Sequence, residues 1–132
     1  MSEQITSHIA PGDNEGRHVA ILANGERGPG NAYHNYTILW NRRTREDEPG
    51  IVTGDQLNIR FQNGGIQEAG LNGVTNEALL AVVQNRLEGF QSGKFACETN
   101  ATALHHIQAA LDALHSRTLD RLQRGVEGKQ VE

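Results

Sequence analysis

The chain has 132 residues, a formal net charge of −4 and a mean hydropathy of −0.56. That length points to a single domain with a thin core, and a hydrophobic share of 36% is low for a self-sufficient monomer, so association with further copies is expected. Net acidity excludes whole-surface binding to long nucleic acid, and no run of about 18 apolar residues is present to cross a membrane.

Met1–Gly16 is polar, has no apolar signal-peptide core, and reads as a flexible arm or an edge segment. His18–Ala23 is a short apolar run stopped by Asn24-Gly25, the signature of a strand and a turn. Tyr33–Trp40 is aromatic and β-branched and predicts a second strand, with Tyr36, Ile38 and Trp40 on one face. Asn41–Gly50 carries balanced charge and predicts a solvated loop. Gln56–Gln62 alternates cleanly, so a third strand should place Leu57, Ile59 and Phe61 together. Asn63–Gly73 then holds four glycines and two asparagines in eleven residues. So much backbone freedom suits a plain connector, or a loop that approaches an anion at a helix start.

Thr75 is a good N-cap and Glu77 suits the positive end of a helix. Leu79, Val83, Leu87 and Phe90 recur at four, four and three, predicting one apolar stripe, with Gln84, Asn85 and Glu88 elsewhere on the surface. After the short link Gln91–Phe95, a longer helix should start near Glu98 or Thr99 and run to Arg124, stopped by Gly125. Leu104, Ile107, Leu111, Leu114, Thr118 and Leu122 form its seam. At 1.5 Å per residue this helix reaches roughly 40 Å and overhangs its partner. The expected fold is α+β: a small N-terminal antiparallel β-sheet followed by a C-terminal antiparallel helical hairpin that oligomerises. The expected organisation is one domain over residues 1–132, with an arm at 1–16, a β-rich part at 17–71 and the hairpin at 72–128.

Arg117, Arg121 and Arg124 are spaced four and three and share a helix face beside the seam, with His115 nearby. Arginines so placed at a subunit boundary can grip phosphate bidentately. The same residues at a helix C-terminus can instead simply complement the macrodipole. Tyr36, Trp40, Phe61 and Phe90 are the aromatic surfaces available for stacking on a base, and Phe61 lies next to the Gly-rich loop. The histidines show no zinc-ligand pattern, no cofactor motif occurs, and no acid–base–nucleophile set is recognisable. Binding is therefore favoured over catalysis. The single Cys97 argues for a reducing, cytoplasmic setting rather than a disulfide scaffold.

Several blocks together resemble a known family. They are Phe61-Gln62-Asn63-Gly64, Asn72-Gly73-Val74-Thr75-Asn76-Glu77-Ala78-Leu79-Leu80, Arg86-Leu87 with Phe90-Gln91-Ser92-Gly93, and Arg117-Thr118 with Arg121 and Arg124-Gly125-Val126-Glu127-Gly128. The chain resembles the phage Thoeris anti-defence sponges, which share a helical-hairpin domain with the phage anti-CBASS sponges. The resemblance covers the second half closely and the β-rich half more loosely. It implies a non-enzymatic, cofactor-free protein of the infected bacterial cytoplasm that assembles through its hairpins, as a hexamer. Its ligands would be cyclic ADP-ribose isomers and cyclic di- or trinucleotides, released intact. By position it assigns the first ligand class to Phe61, Asn63, Asn72 and Arg86, and the second to Arg117, Arg121 and Arg124. Gly65 stands where the family pattern leads one to expect proline, which loosens the loop. A hydrolase of the same signals and a purely structural phage protein are the competing readings.

Overall fold

The computed structural model describes residues 2–12, 19–43 and 52–125. The chain divides into two compact units, Met1–Asn63 and Gly64–Glu132.

The first unit is an antiparallel meander of β1 (Ser2–Ile5), β2 (Val19–Asn24), β3 (Asn35–Arg43) and β4 (Val52–Arg60), in that spatial order. Three of these strands follow from the apolar runs, with shifted ends. Tyr33 and His34 precede β3, whereas Asn41–Arg43, expected in the charged loop, continue it because they pair with Gly54, Thr53 and Val52. The remainder of that loop, 44–50, lies outside the described residues, as do His18 and residues 13–17 of the N-terminal segment. Ser2–Ile5 settles the choice between arm and edge: it pairs with Ile21–Asn24 as an edge strand. Three exposed polar residues and a single isoleucine carry little strand signal of their own, and the β2 edge supplies the template.

The register places Tyr36 opposite Ala23 and Ile59, and Ile38 opposite Ile21 and Leu57. Val19, Ile21, Ala23, Tyr36, Ile38, Trp40, Leu57 and Ile59 therefore share one face, as the alternation predicted for the last two strands. Ala23 is fully buried there. Between β2 and β3 a single turn of 3-10 helix, Pro29–Asn31, reverses the chain, and Gly30 takes φ +74°. Proline pre-sets the first turn and glycine supplies the left-handed residue.

The second unit opens with α1 (Ile66–Ala69), a single helical turn within the Gly-rich stretch that periodicity cannot reveal. α2 (Asn76–Gln91) starts where the cap predicts: the Ala78 N–H donates to Thr75 Oγ1 at 3.1 Å. α3 (Glu98–Gln123) begins after Cys97, whose Sγ accepts from the Asn100 N–H, and ends before Gly125 at φ +72°. The two helices pair antiparallel: Gln91 bonds Cys97 beside the link, and Gln84 bonds Gln108 at 2.8 Å further along.

That last bond adjusts the expected stripe of α2. Leu79, Leu87 and Phe90 are half-buried as the periodicity predicts, but Val83 is 47% exposed, and Leu80, Gln84 and Gln91 are half-buried as well. The inward row therefore takes in two amides and leaves out Val83. Glutamine can sit in this row because each amide has a partner in the pair or the link. On α3 the seam holds from Leu104 through Thr118, with Leu111 buried, and ends at Leu122, which is 57% exposed. α2 is about 24 Å long and α3 about 39 Å. The last turns of α3 accordingly run past the start of α2, carrying all three arginines.

Candidate functional site

Helical geometry already separates the three arginines. At about 100° per residue Arg121 lies about 20° from Leu114, whereas Arg117 and Arg124 lie about 60° and 80° from it. Arg121 belongs to the seam and the others flank it. The structure follows this order. Arg121 is only 8% exposed and has partners there, as a buried guanidinium must. Arg117 is exposed and makes no ion pair with a described residue. Arg124 forms the helix C-cap, and its Nε lies 3.3 Å from Asp120 Oδ2 in an exposed i, i+4 pair. The stripe thus consists of one inward cation, one open cation and one engaged by a carboxylate. His115 is exposed on the same stretch of helix.

Phe61 and Asn63 lie at the end of the first unit. Phe61 donates its N–H to His34 O at 2.7 Å and meets Tyr36 edge-on, ring centroids 5.6 Å apart. One edge of its ring is therefore already committed to the sheet, and the residue is half-buried. Asn63 is exposed and has a partner. Asn72 and Arg86 lie in the second unit. Asn72 is half-buried and partnered in the link before α2. Arg86 is exposed on α2 with its guanidinium 5.0 Å from the centre of the Phe90 ring. Phe90 meets Phe95 edge-on at 6.2 Å, and Lys94 lies over Phe95. Arg86 is thereby held on an aromatic surface while its donors remain available, a posture suited to stacking and anion contact together.

Two clusters escaped the sequence reading. Arg27 stacks 4.6 Å from the centre of the Tyr33 ring, pairs with Glu3 at 3.4 Å and donates to Asn31 O. A hydrogen bond with Glu3, and secondarily desolvation and the Glu3 charge, push the Tyr33 hydroxyl above its ordinary pKa despite the opposing Arg27. The polar side of the sheet carries the other cluster. Among the described residues, no group of three or more His, Cys, Asp or Glu side chains is placed to hold a metal, and no helix is long and apolar enough to cross a membrane.

The family model of the Acb2/Tad1 hairpin domain matches residues 53–118, half of the chain. The chain belongs to the Acb2/Tad1 hairpin-domain family. The matched stretch runs from β4 through most of α3. It contains Phe61, Asn63, Asn72, Arg86 and Arg117, and stops short of Arg121 and Arg124. Thoeris anti-defense 1 of Bacillus phage SBSphiJ7 is 47% identical over 75 residues, covering 57% of this chain and 53% of that protein. The match thus spans about half the length of that curated relative. Membership accounts for the helical hairpin of α2 and α3.

Proposed function

We infer that this hairpin-domain protein acts against bacterial anti-phage defence by sequestering small cyclic nucleotide signals without altering them. The 47% identity to a protein named Thoeris anti-defense 1 carries this reading. The main ligands are cyclic ADP-ribose isomers, contacted by Phe61, Asn63, Asn72 and Arg86. Cyclic di- and trinucleotides form a second class, held by Arg117, Arg121 and Arg124 where hairpins of different copies meet. The setting is the cytoplasm of the infected host.

Two features of the hairpin support assembly, with a hexamer as the expected form. Arg117 and Arg124 stand exposed on the overhanging end of α3, where a neighbouring copy can meet them. Val82, Val83, Leu119 and Leu122 are 66%, 47%, 59% and 57% exposed. At about 25 cal/mol per Å² such side chains favour burial against another copy. Tight retention of a polyanion needs several charge-assisted hydrogen bonds and little reorganisation, which arginines held on aromatic or seam positions supply.

The test is isothermal titration with a cyclic ADP-ribose isomer and with a cyclic trinucleotide, followed by heat release and mass spectrometry of the ligand. Binding with intact recovery is the expected result. A degraded ligand would make the protein a hydrolase, and no binding of either class would leave a structural protein.

A further inference from the structure

The face of the sheet opposite the apolar one carries a continuous row of side-chain hydrogen bonds. Ser2 Oγ donates to Asn24 Oδ1 at 2.9 Å, Asn24 Nδ2 to Thr37 Oγ1 at 2.8 Å, and Thr37 Oγ1 to Asn58 Oδ1 at 3.0 Å. Gln56 Nε2 approaches the same Asn58 oxygen at 3.4 Å. The row crosses all four strands of the meander. Side chain–side chain bonds are roughly 10–15% of a protein's hydrogen bonds, so an unbroken run of them is not the default dressing of a wet sheet face.

The direction of these bonds decides what is left over. The side-chain oxygens of Asn24, Thr37 and Asn58 each accept from a donor of the row itself. The amide hydrogens of Asn58 and Asn35 and the whole Arg60 guanidinium make no hydrogen bond with a described residue. Asn35 stands opposite both Asn24 and Arg60, and Thr37 stands opposite Asn58. Directly opposed residues lie about 5 Å apart and i, i+2 neighbours about 7 Å apart on one face. The five side chains therefore form one compact patch. Together with Tyr36 and Ile59 they line an open depression of about 300 Å³. Alternation sends Glu3 and Asp55 to the other face, so Arg60 is the only charged group among the described side chains on this one.

We propose that this patch is a binding site for the phosphate group of a small phosphate monoester of sugar-phosphate size. It is built wholly from the first unit and shares no residue with the positions assigned to cyclic nucleotides. A guanidinium with amide donors beside it matches terminal phosphate oxygens, which accept only. Among the described side chains no carboxylate stands on that face to repel a dianion. The volume of the depression lies at the lower end of small-molecule sites, which suits one sugar phosphate rather than a cyclic dinucleotide.

The experiment is a titration of the full chain with ribose 5-phosphate, inorganic phosphate and unphosphorylated ribose, followed through the side-chain N–H signals of Asn35, Asn58 and Arg60 by ¹⁵N NMR. Saturable shifts of these signals with both phosphates and not with ribose are expected. Arg60→Gln should weaken binding at least tenfold. Asn58→Asp keeps the oxygen that Thr37 donates to but turns the donor amide into a carboxylate, and it should abolish binding while the sheet signals stay in place. No saturable shift, shifts confined to the α3 arginines, or binding unchanged in both variants would overturn the proposal.

Discussion

The side-chain amide of Gln91 occupies both backbone groups of Cys97: Nε2 donates to Cys97 O at 3.1 Å, and Oε1 accepts from the Cys97 N–H at 2.9 Å. The last residue of α2 thereby grips the N-cap of α3 and fixes the link between them. Gln91→Ala should cost about 1–3 kcal/mol, the range for two neutral hydrogen bonds of this kind. Gln91→Glu keeps the acceptor and loses the donor, so it should fall between. Urea unfolding followed by helical circular dichroism measures both, and an unchanged midpoint for Gln91→Ala would remove the clamp from the account.

The arginine series separates stability from binding. Arg121→Ala removes an inward, partnered guanidinium and should destabilise by about 2–4 kcal/mol. Arg124→Ala breaks one exposed pair with Asp120, worth about 0.2–1 kcal/mol. Arg117→Ala should change stability by less than about 0.5 kcal/mol, yet lower cyclic-oligonucleotide affinity about tenfold through loss of a charge-assisted contact. Thermal unfolding alongside calorimetric titration tests the order. A large stability loss at Arg117 with none at Arg121 contradicts it.

Gly28 leaves room for the side chain of a neighbour. A Cβ built there would lie 2.5 Å from His34 Cδ2 and Nε2, and that Nε2 is buried with no partner among the described residues. Gly28→Ala must displace the ring, and overpacking of this kind costs about 1–3 kcal/mol. Combining it with His34→Ala should recover part of the loss, a non-additive cycle readable in the fluorescence of Trp40, the chain's single tryptophan. Strict additivity would show that the two residues do not meet.

Alkaline pH should loosen the same unit through Tyr33. Its hydroxyl is held above the ordinary value near 10.0, chiefly by the hydrogen bond with Glu3. Between the unfolded value and the raised folded one, the native state binds more protons than the unfolded state, so stability falls as pH rises through that window. Below it the effect is flat. Denaturation of wild type and Tyr33→Phe at pH 9 and pH 11 should show a steeper loss for wild type. Parallel losses would assign the slope to other groups.

Local chemistry wrote much of this fold legibly. Leu57 and Ile59 alternate because a strand has period two, Thr75 opens α2 because its hydroxyl caps an amide, and Gly125 closes α3 because it accepts positive φ. Each signal depends on only a few neighbouring residues, as does the spacing that singled out Arg117, Arg121 and Arg124. Tertiary structure decided what depends on distant partners. Ser2–Ile5 is a strand because β2 offers an edge. Gln84 faces inward, and Val83 does not, because Gln108 waits across the hairpin. Spacing put Arg121 on one face with Arg117 and Arg124 beside the seam, and only the packed unit shows it buried. The row from Ser2 to Gln56 exists only through register, since a slip of one residue would turn every member to the other face.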